Sequence, residues 1–85
     1  MQTVELYTTN TCGFCHAAKR LLTAKDVSFA EVSLNAQPER RAEMMQRANG
    51  GRTVPQIFIG TTHVGGYDDL HALEAAGKLD ALLAG

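Results

Sequence analysis

The fold of this chain is decided by residues 4–22, which read VELYTTNTCGFCHAAKRLL. The first four residues alternate apolar and polar side chains as a β-strand does, and apolar residues recur with helical spacing over residues 17–22. Between them, the run Cys-Gly-Phe-Cys at 12–15 holds both cysteines of the chain. The stretch therefore predicts a strand, a turn and a helix, with two thiols near the helix N-terminus. The unpaired backbone amides at that end favour a thiolate.

Hydrophobic patterns and turn residues divide the rest of the chain into further elements. The predicted strands are residues 1–7, 29–33, 54–59 and 63–64, and the predicted helices are 13–25, 39–48 and one that begins near residue 67. Gly77 separates that helix from a last turn with Leu79, Leu82 and Leu83. The inner face of the second helix is predicted to hold Met44, Met45 and Ala48. The order predicts an α/β sandwich, parallel where helices cross over and antiparallel at the hairpin.

Length and composition limit the classes of function. Eighty-five residues are enough for one domain, residues 1–85, and 45% hydrophobic with 20% charged residues is ordinary for a globular protein. A net charge of −1 gives no reason to expect a nucleic acid partner. No apolar run reaches the ~20 residues that span a bilayer, and no leader is visible, so we expect a cytoplasmic protein. In a reducing cytosol, a lone C-x-x-C is more often redox-active or metal-binding than structural.

Three motifs in this order resemble those of the glutaredoxins. They are the cysteine pair of residues 12–15, Thr53-Val54-Pro55 before a predicted strand, and Gly65-Gly66-Tyr67-Asp68-Asp69 before a predicted helix. The resemblance covers nearly the whole chain, and it implies the thioredoxin-like fold, a four-stranded mixed sheet flanked by helices on both faces. It also implies a monomeric thioltransferase that reduces protein disulfides and glutathione mixed disulfides, with glutathione as its own reductant.

By this resemblance, Cys12 is the nucleophile and Cys15 is the resolving thiol. The positions agree with these roles, because a thiolate attacks a disulfide sulfur, a mixed disulfide forms, and Cys15 or a second glutathione releases it. Cys15 lies one helical turn further along, so we expect it to be less exposed and less acidic. The amides of Phe14 and Cys15 are expected to donate hydrogen bonds to the Cys12 sulfur.

The same resemblance implies a glutathione site made of Thr53, Val54, Pro55, Gly66, Tyr67 and Asp68. The Val54 backbone would pair in β fashion with the cysteinyl backbone of glutathione, next to a cis peptide bond at Pro55. The helix N-terminus at residues 66–68 would offer amides to the γ-glutamyl carboxylate, and Asp68 would take the ammonium group. Asp68 is also a candidate for the helix cap.

Some positions depart from the pattern of the family. Many glutaredoxins carry a lysine two residues after the first-strand tyrosine, where this chain has Thr9. Arg52 or Arg47 could replace that cation, and a solvated surface position is the alternative for each. Glycine and phenylalanine stand between the cysteines, where proline and tyrosine are commoner. We expect Tyr7 to pack beside the cysteine turn and to help shape the glutathione groove.

A different function shares the cysteine motif. The run from Cys12 to His16 also matches the C-x-x-C-H pattern of c-type haem attachment. Such an electron carrier would need export and a distal ligand such as Met44 or Met45. The strand content and the two other motifs argue against it.

A third function is the binding of an iron-sulfur cluster. Some glutaredoxins that lack proline in the active site hold a [2Fe-2S] cluster between two subunits, each of which gives one cysteine and one bound glutathione. Gly13 leaves such a dimer sterically open here, with Cys12 as the ligand. Mononuclear zinc is disfavoured, because the histidines are scattered and two cysteines do not complete a four-ligand set. Surface or hairpin positions are expected for His16, His63 and His71.

Overall fold

The computed structural model describes all residues 1–85, which form four strands and four α-helices. The strands are β1 (Val4–Thr8), β2 (Ala30–Ser33), β3 (Gln56–Ile59) and β4 (Thr62–Gly65). The helices are α1 (Gly13–Ala24), α2 (Arg41–Arg47), α3 (Tyr67–Ala75) and α4 (Leu79–Ala84), and a 3-10 turn at Pro38–Arg40 precedes α2. All predicted elements are present with shifted ends, and the predicted last turn is the helix α4. None of the helices is both long and apolar enough to cross a bilayer.

The four strands form one mixed sheet in the order β2-β1-β3-β4. β1 is parallel to β2, with α1 crossing over between them, and antiparallel to β3, while β3 and β4 form the predicted hairpin. The prediction that strands are parallel wherever helices cross over is therefore wrong for α2. The connection that contains α2 leaves β2 and enters β3 at the same end of the sheet. β3 is therefore antiparallel to both β2 and β1.

The register of the strands brings three distant segments to one edge of the sheet. In the strand register, Tyr7 of β1 is paired with Gln56 of β3, and Ile57 of β3 is paired with Gly65 of β4. The residues that follow β1, those that precede β3 and those that follow β4 therefore lie side by side. These segments are the cysteine turn, residues 53–55 and residues 66–68.

Apolar side chains cover both faces of the sheet, because alternate strand residues point to opposite sides. The face that we call the α1 face packs against α1, α3 and α4 through Val4, Leu6, Ala18, Leu22, Val27, Ile57, Ile59, Leu70, Leu79 and Leu83. The opposite face, the α2 face, is formed by Tyr7, Val32, Leu34, Met44, Ala48 and Phe58. The predicted inner face of α2 is confirmed for Met44 and Ala48, while Met45 is partly buried.

Candidate active site

The cysteine turn lies where β1 ends and α1 begins. Cys12 is the N-cap residue of α1, and its Sγ accepts a hydrogen bond from the Cys15 amide at 3.0 Å. The carbonyl oxygen of Val54 lies 3.5 Å from the same sulfur. Of the two amides predicted to bond this sulfur, that of Cys15 does so and that of Phe14 does not. Cys12 is partly exposed, so a disulfide can reach it from solvent.

Cys15 lies one turn into α1 and is fully buried. Burial raises the pKa of its thiol to about 12, and the hydrogen bond with Cys12 adds to the rise. A hydrogen bond with the Thr9 backbone and the positive charge of Lys19 offset part of it. The second cysteine is therefore less exposed than the first, as predicted, and its thiol is less acidic than an ordinary one.

A groove of about 330 Å³ opens beside the cysteine turn. It is lined by Phe14, Thr53, Val54, Pro55, Gly66, Tyr67, Asp68 and Asp69. The fold thus brings together all six residues that the family resemblance implies for glutathione. The peptide bond between Val54 and Pro55 is cis, as the resemblance also implies. The volume is at the lower end of the range for small-molecule pockets.

Phe14 lines the groove although the motifs did not predict it. Its ring is 63% exposed and lies 6.1 Å from the ring of Tyr67, with 20° between the two planes. The two rings form an aromatic wall next to the nucleophile. Helical spacing could have identified this residue, because Phe14 precedes the buried Cys15 in the first turn and cannot point into the core with it.

The two aspartates at the start of α3 have different partners. Asp69 accepts a hydrogen bond from the Gly66 amide at 3.0 Å, so Asp69 caps the helix. Gly65 lies at φ +114°, and a Cβ there would collide with the Asp69 carboxylate, so this turn requires glycine. Asp68 is exposed and makes no hydrogen bond within the chain. The interpretation of Asp68 as the cap is therefore wrong, and its carboxylate remains free.

The first turn of α3 also has free backbone amides. Those of Tyr67 and Asp68 have no acceptor within the chain, since the first intrahelical bond runs from the Leu70 amide to the Gly66 carbonyl. These amides and the positive end of the helix dipole favour an anion. The neighbouring Asp68 carboxylate favours a cation. The start of α3 therefore suits a ligand that carries both charges close together.

The two arginines considered in place of the missing lysine have different surroundings. Arg47 lies over the α2 face, where it donates hydrogen bonds to the Tyr7 hydroxyl at 2.9 Å and to the Glu5 carboxylate at 3.1 Å. Arg47 is thus neither a solvated side chain nor a cation of the groove. Arg52 is exposed and directly precedes residues 53–55. Of the two arginines, only Arg52 is next in sequence to residues that line the groove.

Tyr7 does not shape the groove, and that prediction is wrong. The side chain is fully buried on the α2 face, with its ring 5.8 Å from the Phe58 ring in an edge-to-face arrangement. Its hydroxyl donates a hydrogen bond to Glu43 and accepts one from Arg47. The alternation of β1 explains the error, because Leu6 points to the α1 face and the next residue must point to the other.

The histidines lie in separate places. His16 and His71 are exposed on their helices and His63 lies in the hairpin of β3 and β4, as predicted. His63 is half-buried, and its Nε2 lies 2.7 Å from Oε1 of Gln56. No three histidine, cysteine or carboxylate groups converge in a way that could hold a metal ion. Met44 is buried on the α2 face, so it is not placed to act as a distal haem ligand.

A C-x-x-C at the first turn of the first helix, on a mixed four-stranded sheet, defines the thiol-disulfide oxidoreductases of the thioredoxin-like fold. The glutaredoxin family model matches residues 4–64 of this chain. A glutaredoxin of Pseudomonas aeruginosa is 58% identical over 84 residues, which are 99% of each chain. The solution structure of a glutaredoxin from Brucella melitensis is similar with a TM-score of 0.83 at 54% identity, over 98% of this chain and 89% of that one. A buckwheat glutaredoxin-glutathione complex has a TM-score of 0.88 at 28% identity, over 98% of this chain and 77% of that one.

The chain therefore belongs to the glutaredoxin family, and it is a thiol-disulfide oxidoreductase.

Proposed function

We propose that this glutaredoxin uses glutathione to reduce protein disulfides and glutathione mixed disulfides through Cys12 and Cys15. The observation that carries the proposal is the 3.5 Å contact between the Cys12 sulfur and the Val54 carbonyl oxygen, because Val54 also lines the groove. A glutathione sulfur held beside Val54 would lie next to the nucleophile. The glutathione complex of the buckwheat relative supports the same ligand.

The reaction begins when the Cys12 thiolate attacks the glutathione sulfur of a mixed disulfide. The disulfide of the substrate breaks, its protein thiolate leaves and takes a proton from water, and Cys12 becomes bonded to glutathione. The thiolate of a second glutathione then attacks that bond, so oxidised glutathione leaves and the Cys12 thiolate returns. For a protein disulfide, the Cys12 thiolate attacks one client sulfur and the other leaves as a thiolate, so a Cys12–client mixed disulfide forms. Cys15 then attacks the Cys12 sulfur and releases the second client thiol, and two glutathiones reduce the resulting Cys12–Cys15 disulfide.

The burial of Cys15 affects which thiol completes the reduction of a glutathione mixed disulfide. With a pKa of about 12, the Cys15 thiol is almost entirely protonated at neutral pH. A second glutathione has an ordinary thiol, so a larger fraction of it is ionised at neutral pH. The part of the rise that comes from Cys12 disappears once the Cys12 sulfur is in a mixed disulfide. Burial, the largest cause of the rise, remains, so Cys15 would act through its position one helical turn from Cys12.

Glutathione fits the groove by charge as well as by sulfur position. Its γ-glutamyl end carries a carboxylate and an ammonium group, which suit the free amides of Tyr67 and Asp68 and the free Asp68 carboxylate. Its cysteinyl backbone would pair with that of Val54, between Thr53 and Pro55. Its glycyl carboxylate would lie towards Arg52. The stacked rings of Phe14 and Tyr67 would exclude water from one side.

Substitution of each cysteine tests the proposal. With the mixed disulfide of glutathione and cysteine as substrate, we expect Cys12→Ser to lower turnover below about 1% of the wild type, since it removes the attacking thiolate. Cys15→Ser should keep this turnover and lose the reduction of a protein disulfide. The rate of oxidised glutathione formation measures the first substrate and client thiol release the second. Full activity of Cys12→Ser would contradict the assignment.

The two aspartates of α3 provide a matched pair for the binding site. Asp68→Ala should raise the KM for glutathione about tenfold, in line with the loss of one charged hydrogen bond, and leave the melting temperature unchanged. Asp69→Ala should instead lower the free energy of unfolding by about 1 kcal/mol, because it removes the helix cap. Steady-state kinetics and urea unfolding of both variants separate the two roles. An unchanged KM in Asp68→Ala would remove this residue from the site.

Cluster binding is a second candidate function. A Cβ at Gly13 would meet no atom within 4 Å, so the surface beside the partly exposed Cys12 has room for a second subunit. Within one chain, no group of metal ligands converges, so a [2Fe-2S] cluster would need two chains and two glutathiones. Anaerobic addition of iron, sulfide and glutathione, followed by visible absorption and gel filtration, tests this. A colourless monomer would exclude it.

The setting of the reaction belongs to the same proposal. We expect residues 1–85 to act as one domain and as a monomer in the cytoplasm, where glutathione is the abundant thiol. The partners would be glutathione and disulfide-containing or glutathionylated proteins, and we expect no nucleic acid or membrane partner.

A further inference from the structure

A buried amide connects the hairpin to the groove. Gln56 is the first residue of β3 and only 4% exposed. Its Nε2 donates hydrogen bonds to the Thr53 carbonyl oxygen at 3.0 Å and to Thr53 Oγ1 at 3.4 Å, and its Oε1 lies 2.7 Å from His63 Nε2. Gln56 therefore links β4 to the segment that lines the groove.

The chemistry of the partners fixes the direction of each hydrogen bond. The Thr53 carbonyl oxygen can only accept, so the amino group of Gln56 must point towards it. The carbonyl oxygen of Gln56 then faces His63, whose Nε2 must carry a hydrogen and donate it. A reversed amide would place two acceptors together at Thr53. The arrangement leaves no buried polar atom of these side chains without a partner.

The hydrogen bonds from His63 through Gln56 to Thr53 form a relay whose His63 end is anchored in the core. The His63 ring stacks on the Phe58 ring, with centroids 5.0 Å apart and 27° between the planes, and Phe58 belongs to the buried cluster of the α2 face. Gly51 leaves the space that the amide occupies, since a Cβ there would lie 3.0 Å from Gln56 Nε2. The relay thus runs from the core of the α2 face to Thr53, the residue before Val54.

We propose that Gln56 and His63 are positioning residues for the groove. Gln56 holds residues 53–55 so that Val54 faces both the ligand and the Cys12 sulfur, and His63 holds Gln56. Neither side chain lines the groove, so each acts through another residue. This inference rests on the proposed use of glutathione and adds two residues that tune its binding. It follows that the loss of either side chain should weaken glutathione binding more than the chemical step.

Four single variants and one double variant test the relay. Gln56→Met keeps the approximate volume and removes the donors and the acceptor. His63→Leu removes the donor to Gln56, whereas His63→Gln retains an amide hydrogen close to the position of Nε2. Thr62→Ala, an exposed change on the same strand, is the matched control. Each is assayed with the mixed disulfide of glutathione and cysteine, and the alkylation of Cys12 by iodoacetamide is measured by mass spectrometry as a reaction that needs no groove.

We expect Gln56→Met and His63→Leu each to raise the KM about fivefold, as commonly follows from the loss of one net hydrogen bond, with kcat and the alkylation rate within twofold. His63→Gln and Thr62→Ala should remain within twofold of the wild type in all three quantities. The double variant Gln56→Met/His63→Leu should be no worse than Gln56→Met alone, because both changes interrupt one relay.

A measurement of the backbone can be made in the absence of glutathione. The NMR order parameter of the Val54 amide should fall in Gln56→Met and His63→Leu and stay unchanged in Thr62→Ala. Unchanged order and KM in Gln56→Met would overturn the inference, as would a His63→Gln variant as defective as His63→Leu, or additive effects in the double variant. A wild type that glutathione does not saturate would refute the proposed function instead, and the order parameters would still decide whether the relay holds Val54.

Discussion

The face of the sheet under α1 and the face under α2 are built with different chemistry. The buried cluster of the α1 face is entirely apolar. On the α2 face, the hydroxyl of Tyr7 lies inside the cluster and connects Glu43 with Arg47, which also pairs with Glu5. Arg40 adds an ion pair with Glu43 at 2.7 Å. The buried cluster of one face is therefore wholly apolar, with the ion pairs of Lys19 and Lys25 outside it, whereas the cluster of the other face includes a charged network.

Because of this difference, we expect the two faces of the sheet to respond differently to pH. α1 follows its N-cap residue Cys12, contains Cys15 and packs on the sheet through apolar side chains. The α2 face supports the opposite side of the sheet through groups whose charges change in acid. We therefore expect acid to weaken the α2 face through the network at its buried hydroxyl, and the α1 face only through the ion pairs outside its cluster.

The largest effect is expected from a cavity on the α1 face. Leu22→Ala should lower the free energy of unfolding by about 3 kcal/mol, because the fully buried side chain leaves a cavity under α1. The loss should be the same at pH 7 and pH 5, since no charged group lies in this cluster. Urea unfolding measures it, with the half-buried Leu21→Ala as the control for a smaller loss. A larger loss of the free energy of unfolding at pH 5 would show that charged groups contribute to the stability of the α1 face.

An intermediate effect is expected from the hydroxyl at the centre of the α2 face. Tyr7→Phe should cost about 1 to 2 kcal/mol of the free energy of unfolding, because Glu43 and Arg47 lose their shared partner. The KM for glutathione should stay within twofold of the wild type, since Tyr7 points away from the groove. Urea unfolding and steady-state kinetics check the two statements. A tenfold rise in KM would mean that the two faces are coupled.

The smallest effect is expected from Glu43→Gln, and it should depend on pH. The hydrogen bonds with the Arg40 guanidinium and then with the Tyr7 hydroxyl hold the pKa of the Glu43 carboxyl below its usual range. A lowered folded-state pKa means that ionised Glu43 stabilises the fold above the unfolded-state value of about 4.3, and that this stability is lost as the pH falls.

The wild type should accordingly be more stable than Glu43→Gln at pH 7, by less than the effect of Tyr7→Phe. The difference should shrink as the pH is lowered to about 3. Urea unfolding of both proteins at several pH values measures it. A difference that persists at the lowest pH would attribute the effect to packing instead of charge.

Local patterns were sufficient for the parts of the site that lie within one short segment. The strand-turn-helix around Cys12 could be predicted because the periods of apolar residues change at the cysteines. The burial of Cys15 follows from its place one turn into an amphipathic helix. The motifs at 53–55 and 66–68 were predicted through their likeness to a family, and the groove contains all of their residues.

The errors have a common origin in relations between distant segments. The direction of β3 depends on which side of β1 it joins, which no pattern within residues 54–59 contains. Tyr7 was assigned to the groove from its closeness to Cys12 in the chain, although the strand turns its ring to the other face. Arg47 was considered a surface or groove cation, and its true partners lie 40 and 42 residues away along the chain.

The order of residues alone specified the elements, the two thiols and the kind of chemistry that they perform, because helical and strand periods and helix-end effects act over a few residues. The three-dimensional packing alone decided which aspartate is free, which face receives Tyr7 and how Gln56 reaches Thr53. These depend on hydrogen bonds between segments whose distance is set by the register of the sheet. Strand register is a property of the whole fold, so the fine geometry of the groove becomes visible only in the folded chain.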